Sequence, residues 1–513
     1  MNEVKAVPGT GQVDSYLVVY NTVVLFLRFL AMWALGWVLV LFLPRYLGDE
    51  GLGKLQFAMS FVSLFTIALA LGVRHYLIKE VARNHAQIQT YLGSALGLRL
   101  LTAAIIIPAI VIIASLTGYS EEAKWAIYLA ALWMVVSSFA QLLAAVLNGL
   151  ENMTWPSLSE TANKLVVVAI GVPVLVTGRG VLVYICVLVA GAAIQLAING
   201  WYLARKYPLK IDFKPAAVKD LLIGGAPFLL MGFVLSVYQH IDVVMLRLIS
   251  NESVVGWYAA AMQIFLSVEF LSLVLTTALL PTLARLHPTG ATVLASMAKR
   301  SIAVIGLITV PLALAISLLS REIFALLPYP EVFQSSAPLL SVLALSIPIT
   351  ALLTILGTIA MAVDRQQQWA LAMVGTLTLN VVLNALAIPY FQQTHGNGAI
   401  GASLATLASE SAMVLVGVWL MPKGVIDKAI GIVFLKIAVA SGGALVVVLL
   451  FNRLGLDNLA PLVIGAVVYA ALALATRAVQ WGDLLFLWQA MSFRLRPRKQ
   501  QVGQEGGIGH EQP

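Results

Sequence analysis

Charged residues are scarce in this sequence: Asp, Glu, Lys and Arg make up only 11% of its 513 residues. A soluble domain usually carries about 25%. A single large core cannot account for such a deficit over this length. The composition therefore argues against a soluble enzyme.

Groups that build reactive or metal-binding sites are also few. Cys186 is the one cysteine, so no internal disulfide can form, and the six histidines show no ligand spacing. The segment 48–55 nearly matches a phosphate-binding loop, but Leu55 stands where Ser or Thr must hold magnesium. The sequence predicts no cofactor, no metal site and no catalytic residues.

Apolar residues, in contrast, make up 60% of the chain, and the mean hydropathy is +0.94. Continuous apolar runs of about 20 residues, long enough to cross a membrane as helices, recur along the chain. We predict fourteen spans near 17–43, 52–73, 91–116, 125–147, 157–177, 180–204, 219–246, 254–280, 298–319, 336–362, 367–389, 398–421, 429–451 and 459–478.

The basic residues predict the orientation of these spans. The net charge is +8, but Lys and Arg lie in short loops beside apolar runs, which indicates a topology signal rather than nucleic-acid binding. The loops on the side of the N-terminus hold most of them, including 74–83, 205–219 and 423–428. Both termini are therefore expected in the cytoplasm, in a multi-pass protein of the cell inner (plasma) membrane.

An internal repeat divides the chain. Residues 47–59 resemble 250–262 at an offset of 203, and the same offset relates Pro108 to Pro311. Later, Trp155 matches Trp369 at an offset of 214. Equivalent helices are six spans apart, so both halves have the same orientation and are related by an axis along the membrane normal.

The predicted fold is an all-α integral membrane protein of about 14 transmembrane helices. Two six-helix bundles are related by a pseudo-twofold along the membrane normal, and two C-terminal helices follow. The expected organisation is a cytoplasmic N-terminus (1–16), an N-terminal six-helix lobe (17–204), a basic cytoplasmic linker (205–218), a C-terminal six-helix lobe (219–421), two additional spans (422–478), and an interfacial helix with a disordered cytoplasmic tail (479–513).

Ionisable residues within spans are the candidate site residues, because a charge at membrane depth is costly unless it faces protein or water. Arg28 and Glu269 lie at matching depths in opposite halves, about 16 Å from the inner ends of their spans. They are either a cavity pair that binds an anionic substrate or gates the cleft, or a structural ion pair.

Other polar residues within spans leave similar alternatives. Asp242 and Arg247 lie toward the outer end of span seven and are candidate cavity residues. Asp242 is either a proton or sodium site or a residue that caps and anchors the span. Glu160 and Lys164, spaced i and i+4, are expected to pair with each other. Asn380 and Asn384 are expected to form interhelical hydrogen bonds.

Several segments resemble the polysaccharide-unit (O-antigen, Wzx-type) flippases of the multidrug/oligosaccharidyl-lipid/polysaccharide exporter superfamily. The resemblance lies in residues 42–57, 71–74 and 78–83 of the first half. In the second half it lies in 226–228, 241–245 and 255–261. Together these segments extend over roughly the first 420 residues.

The resemblance implies two six-helix bundles around a V-shaped cavity. It also implies that the protein moves an undecaprenyl-pyrophosphate-linked oligosaccharide from the inner to the outer leaflet. Cationic residues in the cavity would engage the pyrophosphate or acidic sugars. Arg28 is similar to a first-span arginine of the related lipid II flippases, and Arg74 begins the inner loop after span two.

The expected function is therefore a lipid-linked oligosaccharide flippase that works by alternating access, with a proton or sodium ion as coupling partner. Its other partners are membrane lipids. The alternative is an ion-coupled multidrug or organic-cation exporter of the same superfamily, for which acidic residues such as Glu269 and Asp242 should dominate. A membrane-embedded glycosyltransferase is disfavoured, because no predicted outer loop exceeds about 20 residues.

Overall fold

The computed structural model describes residues 15–207, 213–286, 291–422, 424–453 and 460–476, without the side chains of 15–29, 31, 270–286, 291–294, 452, 453, 460 and 462. Helices dominate these residues, and no strand occurs among them. The helices are α1 (Ser15–Ala70), α2 (Val73–Arg83), α3 (Ile88–Leu116), α4 (Glu121–Gly149), α5 (Thr154–Val176), α6 (Gly180–Lys206), α7 (Pro215–Ile249), α8 (Glu252–Leu286), α9 (Ala291–Leu318), α10 (Ser320–Leu326), α11 (Ala337–Ala362), α12 (Gln366–His395), α13 (Gly398–Leu420), α14 (Lys428–Arg453) and α15 (Ala460–Ala475).

Helix α1 contains the first two predicted spans. It is interrupted at Gly48, whose φ of 67° and ψ of −177° are not helical. Glycine adopts such a conformation at no steric cost, so the chain reverses here between two membrane-crossing segments. We call the side of the molecule on which α1 begins the inner side, and the side of Gly48 the outer side.

The two halves repeat the same helix packing. In the N-terminal lobe, α6 packs on α4 and α5; in the C-terminal lobe, α13 packs on α11 and α12. Because these pairs occupy equivalent positions in the repeat, the packing matches the predicted two-lobe arrangement. Helices α14 and α15 pack on each other, and α14 also packs on α9.

The apolar residues are distributed as a membrane environment requires. A buried cluster that includes Leu52, Phe57, Val255 and Tyr258 joins the lobes in the outer half. Meanwhile many large apolar side chains of the long helices face outward, such as Leu116. Lipid tails can cover these outward faces, so their exposure carries no penalty.

Within the described side chains, eleven helical stretches are long and apolar enough to cross a membrane, and one of them, Met32–Ala70, holds both spans of α1. Each predicted span falls on a helix of the structure. The count of fourteen membrane crossings stays a prediction. The expected interfacial helix and tail, 479–513, lie outside the described residues.

Candidate functional site

The lobes touch at their outer ends through two glycines at equivalent positions. Gly53 in the first half and Gly256 in the second half are related by the repeat offset of 203. A Cβ atom on Gly53 would overlap the carbonyl oxygen of Glu252, and one on Gly256 would overlap the carbonyl oxygen of Asp49. The backbones of the two helices are therefore in direct contact, and only glycine leaves room for this.

Ion pairs surround this outer contact. The ammonium of Lys54 lies 2.6 Å from Glu122 and 3.7 Å from Glu252. Arg247 pairs with Glu252 at 2.9 Å, and its guanidinium lies over the rings of Phe57 and Tyr119. Arg247, predicted as a cavity residue, therefore belongs to the outer contact between α1, α4, α7 and α8.

The lobes also touch at their inner ends. A Cβ on Gly72, which follows α1, would overlap the carbonyl oxygen of Gly225 in α7. Farther outward, Ser236 donates to the carbonyl oxygen of Ser63 at 2.9 Å. The lobes are thus in contact at both ends, and alternating access requires each contact to open in turn.

Arg74 lies beside the inner contact. It is exposed near the start of α2. No ion pair to it occurs among the described residues. The neighbouring His75 packs against Phe228 with ring centroids 5.2 Å apart. Partial burial and the charge of Arg74 lower the pKa of His75 below its ordinary value of 6.5. Arg74 is therefore an exposed cation beside the inner contact between the lobes, and its role in substrate binding stays a prediction.

Asp242 lies within the C-terminal lobe, buried to 8% exposure. Its Oδ1 accepts a hydrogen bond from Asn384 at 2.7 Å. Its Oδ2 accepts hydrogen bonds from Thr406 at 3.0 Å and Tyr258 at 3.1 Å. Helices α7, α8, α12 and α13 therefore converge on one carboxylate that has no ion pair among the described residues. Asp242 lies seven positions before Ile249, the last residue of α7, so it does not cap that helix.

The asparagine pair extends this network. Asn384 also donates to Oδ1 of Asn380 at 3.0 Å, and Asn380 donates to Ser409 at 3.3 Å. The predicted interhelical hydrogen bonds are therefore confirmed. The Oδ1 atom of Asn384 is buried without a hydrogen-bond partner. An unpaired amide oxygen beside a carboxylate is a suitable ligand for a hard cation.

A second carboxylate, Glu410, lies one turn along α13 from Thr406. Its Oε2 accepts a hydrogen bond from Thr350 at 2.8 Å, and the Tyr238 hydroxyl interacts with it. Glu410 lies within electrostatic range of Asp242 and Glu269. Glu269 thus belongs to a group of three carboxylates in the C-terminal lobe. Its predicted partner, Arg28, lies on α1, but the Arg28 side chain is outside the described residues.

The N-terminal lobe carries the opposite charge at comparable depth. Arg99 on α3 is buried to 5% exposure and donates to Ser138 on α4. No carboxylate among the described residues pairs with it. Lys164 on α5 is partly buried. Glu160 lies one turn before Lys164 on the same helix, and the ion pair between them stays a prediction.

Several network residues were missed from the sequence. Tyr238, Tyr258, Thr350 and Thr406 carry no charge, so the search for ionisable groups within spans passed over them. One signal was available, because polar residues recur along α13 at 403, 406, 409, 410 and 411 in an otherwise apolar helix. Within the described residues, no group of three or more His, Cys, Asp or Glu side chains could hold a metal ion.

The fold and the site define a class of protein: a multi-pass helical membrane transporter with two lobes around a cleft. A family model described as polysaccharide biosynthesis protein matches residues 18–287. That match covers more than half of the chain, so the chain belongs to this family. The resemblance to polysaccharide-unit flippases is thereby confirmed. A second family model, described as MatE, matches residues 227–386.

Two relatives from Haloferax volcanii are named as flippases. The chain is 23% identical over 374 residues to a probable low-salt glycan biosynthesis flippase, Agl15, which covers 72% of this chain and 76% of the relative. It is 28% identical over 274 residues to a probable flippase, AglR, which covers 52% of this chain. The chain spans only 53% of the length of AglR.

Solved structures share the fold. The lipid II flippase MurJ, described in an inward closed conformation, superposes with a TM-score of 0.71 at 14% identity, covering 91% of this chain and all of that one. An inward-facing multidrug resistance MATE family transporter superposes with a TM-score of 0.60 at 16% identity, covering 76% and 93%. Sequence identities this low show that the fold is shared and show nothing about function.

Proposed function

We propose that this protein is a flippase that moves lipid-linked oligosaccharide units from the inner to the outer leaflet by alternating access. The proposed substrate is an undecaprenyl-pyrophosphate-linked oligosaccharide used to build cell-surface polysaccharide. The observation that carries the proposal is the family match over residues 18–287. The names of the relatives Agl15 and AglR point to the same activity.

The division of charge between the lobes supports this assignment. The N-terminal lobe has cations at membrane depth, Arg99 and Lys164, and Arg28 lies on its first helix. An arginine presents a planar fork that matches phosphate oxygens. We propose that Arg28, with Arg74 at the inner mouth, engages the anionic pyrophosphate end of the substrate. The C-terminal lobe then serves the coupling ion.

Asp242 is the proposed coupling site. The carboxylate, the Thr406 and Tyr258 hydroxyls and the unpaired Asn384 oxygen together offer hard oxygen ligands, which fit a sodium ion. A proton on Asp242 is the alternative form of coupling. Either ion would neutralise the charge that holds four helices together, so its arrival or departure would change how tightly α7, α8, α12 and α13 pack.

The proposed setting is the cell inner (plasma) membrane, with both termini in the cytoplasm. In this setting the inner mouth with Arg74 faces the cytoplasm, where lipid-linked oligosaccharides are assembled. The lobes are proposed to comprise residues 17–204 and 219–421, joined by the basic linker 205–218. Residues 422–478 form the two additional spans.

A multidrug or organic-cation exporter is the second candidate. The MatE match over residues 227–386 and the three carboxylates of the C-terminal lobe favour it. An organic cation needs an anionic site, and Asp242, Glu269 and Glu410 would provide one. On that reading, the arginines of the N-terminal lobe would have no direct role in binding.

One experiment separates the two candidates. The gene is deleted and restored, and lipid-linked glycan on each leaflet is measured beside resistance to cationic dyes and drugs. A flippase predicts that lipid-linked glycan accumulates on the inner leaflet after deletion while drug resistance is unchanged. A normal glycan distribution together with lost resistance would contradict the proposal and support the exporter.

A further inference from the structure

A groove opens between α12 and α13 on the inner side, away from the cleft between the lobes. Its volume is about 470 Å³. The groove is lined by Arg365, Gln368, Leu371, Ala372, Val416, Trp419 and Leu420. None of these residues belongs to the networks described above, so transport does not account for the groove.

Polarity changes along the groove in the direction of the membrane normal. Arg365 and Gln368 lie at the inner end, where α12 begins. Leu371 and Val416 lie one to two turns deeper, about 9 Å at the helical rise of 1.5 Å per residue. This order, polar at the surface and apolar below, is the order of a phospholipid head group and its acyl chains.

No other segment among the described residues covers the groove, and its exposed apolar side chains lie on helices that can cross a membrane. Leu371 is 73% exposed and Trp419 is 80% exposed, although both lie on helices apolar enough to cross a membrane. Side chains at such positions are surrounded by lipid. Trp419 also lies one residue from the end of α13, a position typical of aromatic residues at membrane–water interfaces.

Arg365 leaves a positive charge at the polar end. Its Nη1 donates to the carbonyl oxygen of Leu420, which fixes the guanidinium at the end of α13. Among the described residues no carboxylate forms an ion pair with it. Asp364 precedes it in the turn but does not line the groove. A fixed guanidinium with spare N–H groups is suited to bind a phosphate.

The equivalent place in the N-terminal lobe is filled. There Trp155, the repeat partner of Trp369, stacks on Tyr202 with ring centroids 4.5 Å apart, and Tyr202 accepts a hydrogen bond from Asn152 at 2.9 Å. In the C-terminal lobe, Trp369 instead packs inward against Gly357 and Gly417. The side chains that line the groove are therefore particular to the C-terminal lobe and are not part of the common scaffold.

We propose that this groove binds an anionic membrane phospholipid, with its phosphate on Arg365 and Gln368 and its chains along Leu371 and Val416. A basic pocket between membrane helices is a known kind of site for such head groups. The lipid would join the inner ends of α12 and α13. Its binding is independent of the flippase activity, because the groove lies outside the cleft.

The test uses the purified full-length protein and phospholipids with brominated acyl chains, which quench nearby tryptophan fluorescence. Phosphatidylglycerol is compared with phosphatidylcholine, and Trp419→Phe identifies the contribution of the groove. We expect phosphatidylglycerol to quench Trp419 at about fivefold lower concentration than phosphatidylcholine. The attraction between one basic residue and an anionic head group changes the affinity by about this factor. Arg365→Gln should abolish this preference.

Two further variants make the test decisive. Val416→Phe fills the groove without changing its charge and should weaken quenching of Trp419 by both lipids, even if Arg365→Gln does not fold. Arg205→Gln is the matched control, because Arg205 is exposed near the end of α6 in the filled lobe. Equal quenching of Trp419 by both lipids would overturn the proposal. So would an equal effect of Arg205→Gln and Arg365→Gln, which would indicate general surface attraction.

Discussion

Gly53 and Gly256 pack reciprocally at the outer end of the cleft: each lies against a carbonyl oxygen of the other half, that of Glu252 and that of Asp49. Their separation of 203 residues is the repeat offset, so one contact is the symmetry equivalent of the other. The outer closure is therefore built from backbone atoms at the closest possible approach, with ion pairs around it.

The first prediction concerns this contact. Gly53→Ala should force the outer ends of the lobes apart, because its Cβ has no room beside Glu252. Ser267 on α8 lies between the lobes, because its carbonyl oxygen accepts a hydrogen bond from Trp33 on α1 at 3.1 Å. Overpacking typically costs about 1–3 kcal/mol, so a cysteine placed at Ser267, in a Cys186→Ser background, should react about tenfold faster with a membrane-impermeant thiol reagent. Gly36→Ala, whose Cβ would meet nothing within 4 Å, is the control. Equal labelling rates for both variants would contradict the prediction.

The second prediction concerns Asp242. If sodium binds there, sodium at 100 times its Kd should stabilise the wild-type protein against unfolding by about 2.7 kcal/mol. Asp242→Asn should keep the fold but lose this effect, because the amide retains hydrogen-bonding capacity and loses the charge. Thermal unfolding in sodium and choline chloride measures the difference, with Asp427→Asn as a control outside the spans. A wild-type protein insensitive to sodium, with export that depends on pH, would assign a proton instead.

The third prediction concerns Arg28. Arg28→Ala should abolish glycan export while the protein remains folded and inserted, and Arg28→Lys should restore it only in part, because an ammonium lacks the planar fork. Export is measured by complementation beside thermal stability. Normal export by Arg28→Ala would exclude a required role. Loss of folded protein would instead favour a structural ion pair with Glu269.

The fourth prediction concerns Arg99. A buried charge without an ion-pair partner is costly to keep out of water, so Arg99→Met, which removes that charge and keeps a similar volume, should unfold at the same or a higher temperature than the wild type. If Arg99 attracts the anionic substrate into the N-terminal lobe, the same variant should lose export. Ser138→Ala is the control, since it removes the hydrogen bond and keeps the charge. A stable Arg99→Met protein with normal export would leave Arg99 without a role in transport.

The fifth prediction concerns pH. The pKa of His75 is lowered by partial burial and by the charge of Arg74, so the folded protein favours the neutral ring. The contribution of His75 to stability is then complete above pH 6.5 and falls as the pH drops below that value, where the unfolded chain takes up the proton more readily. His75→Gln should reduce the loss of thermal stability between pH 7.5 and 5.5. His85→Gln is the control and should not change this loss. An equal reduction of the loss by both variants would contradict the assignment of the pH dependence to His75.

Much of the fold could be predicted from the sequence, because apolar runs of membrane-spanning length and the repeat at an offset of 203 are local patterns. The candidate site was only partly accessible. Asp242 and Asn384 were recognisable as polar groups within spans, but their contact joins residues 142 positions apart. Nothing local encodes which helices meet.

The reciprocal glycine contact has a consequence for the origin of the chain. At an interface with twofold symmetry, a surface that contacts its own copy makes the same contact twice. Two copies of a single six-helix half, each with one such glycine, would reproduce the outer closure without any residue specific to the other half. A homodimeric ancestor could therefore have closed its cleft before the halves were fused. Arg99 and Asp242 have no like-charged counterparts under the repeat offset. Those two charges could differ between the halves only after fusion, when each half could change on its own.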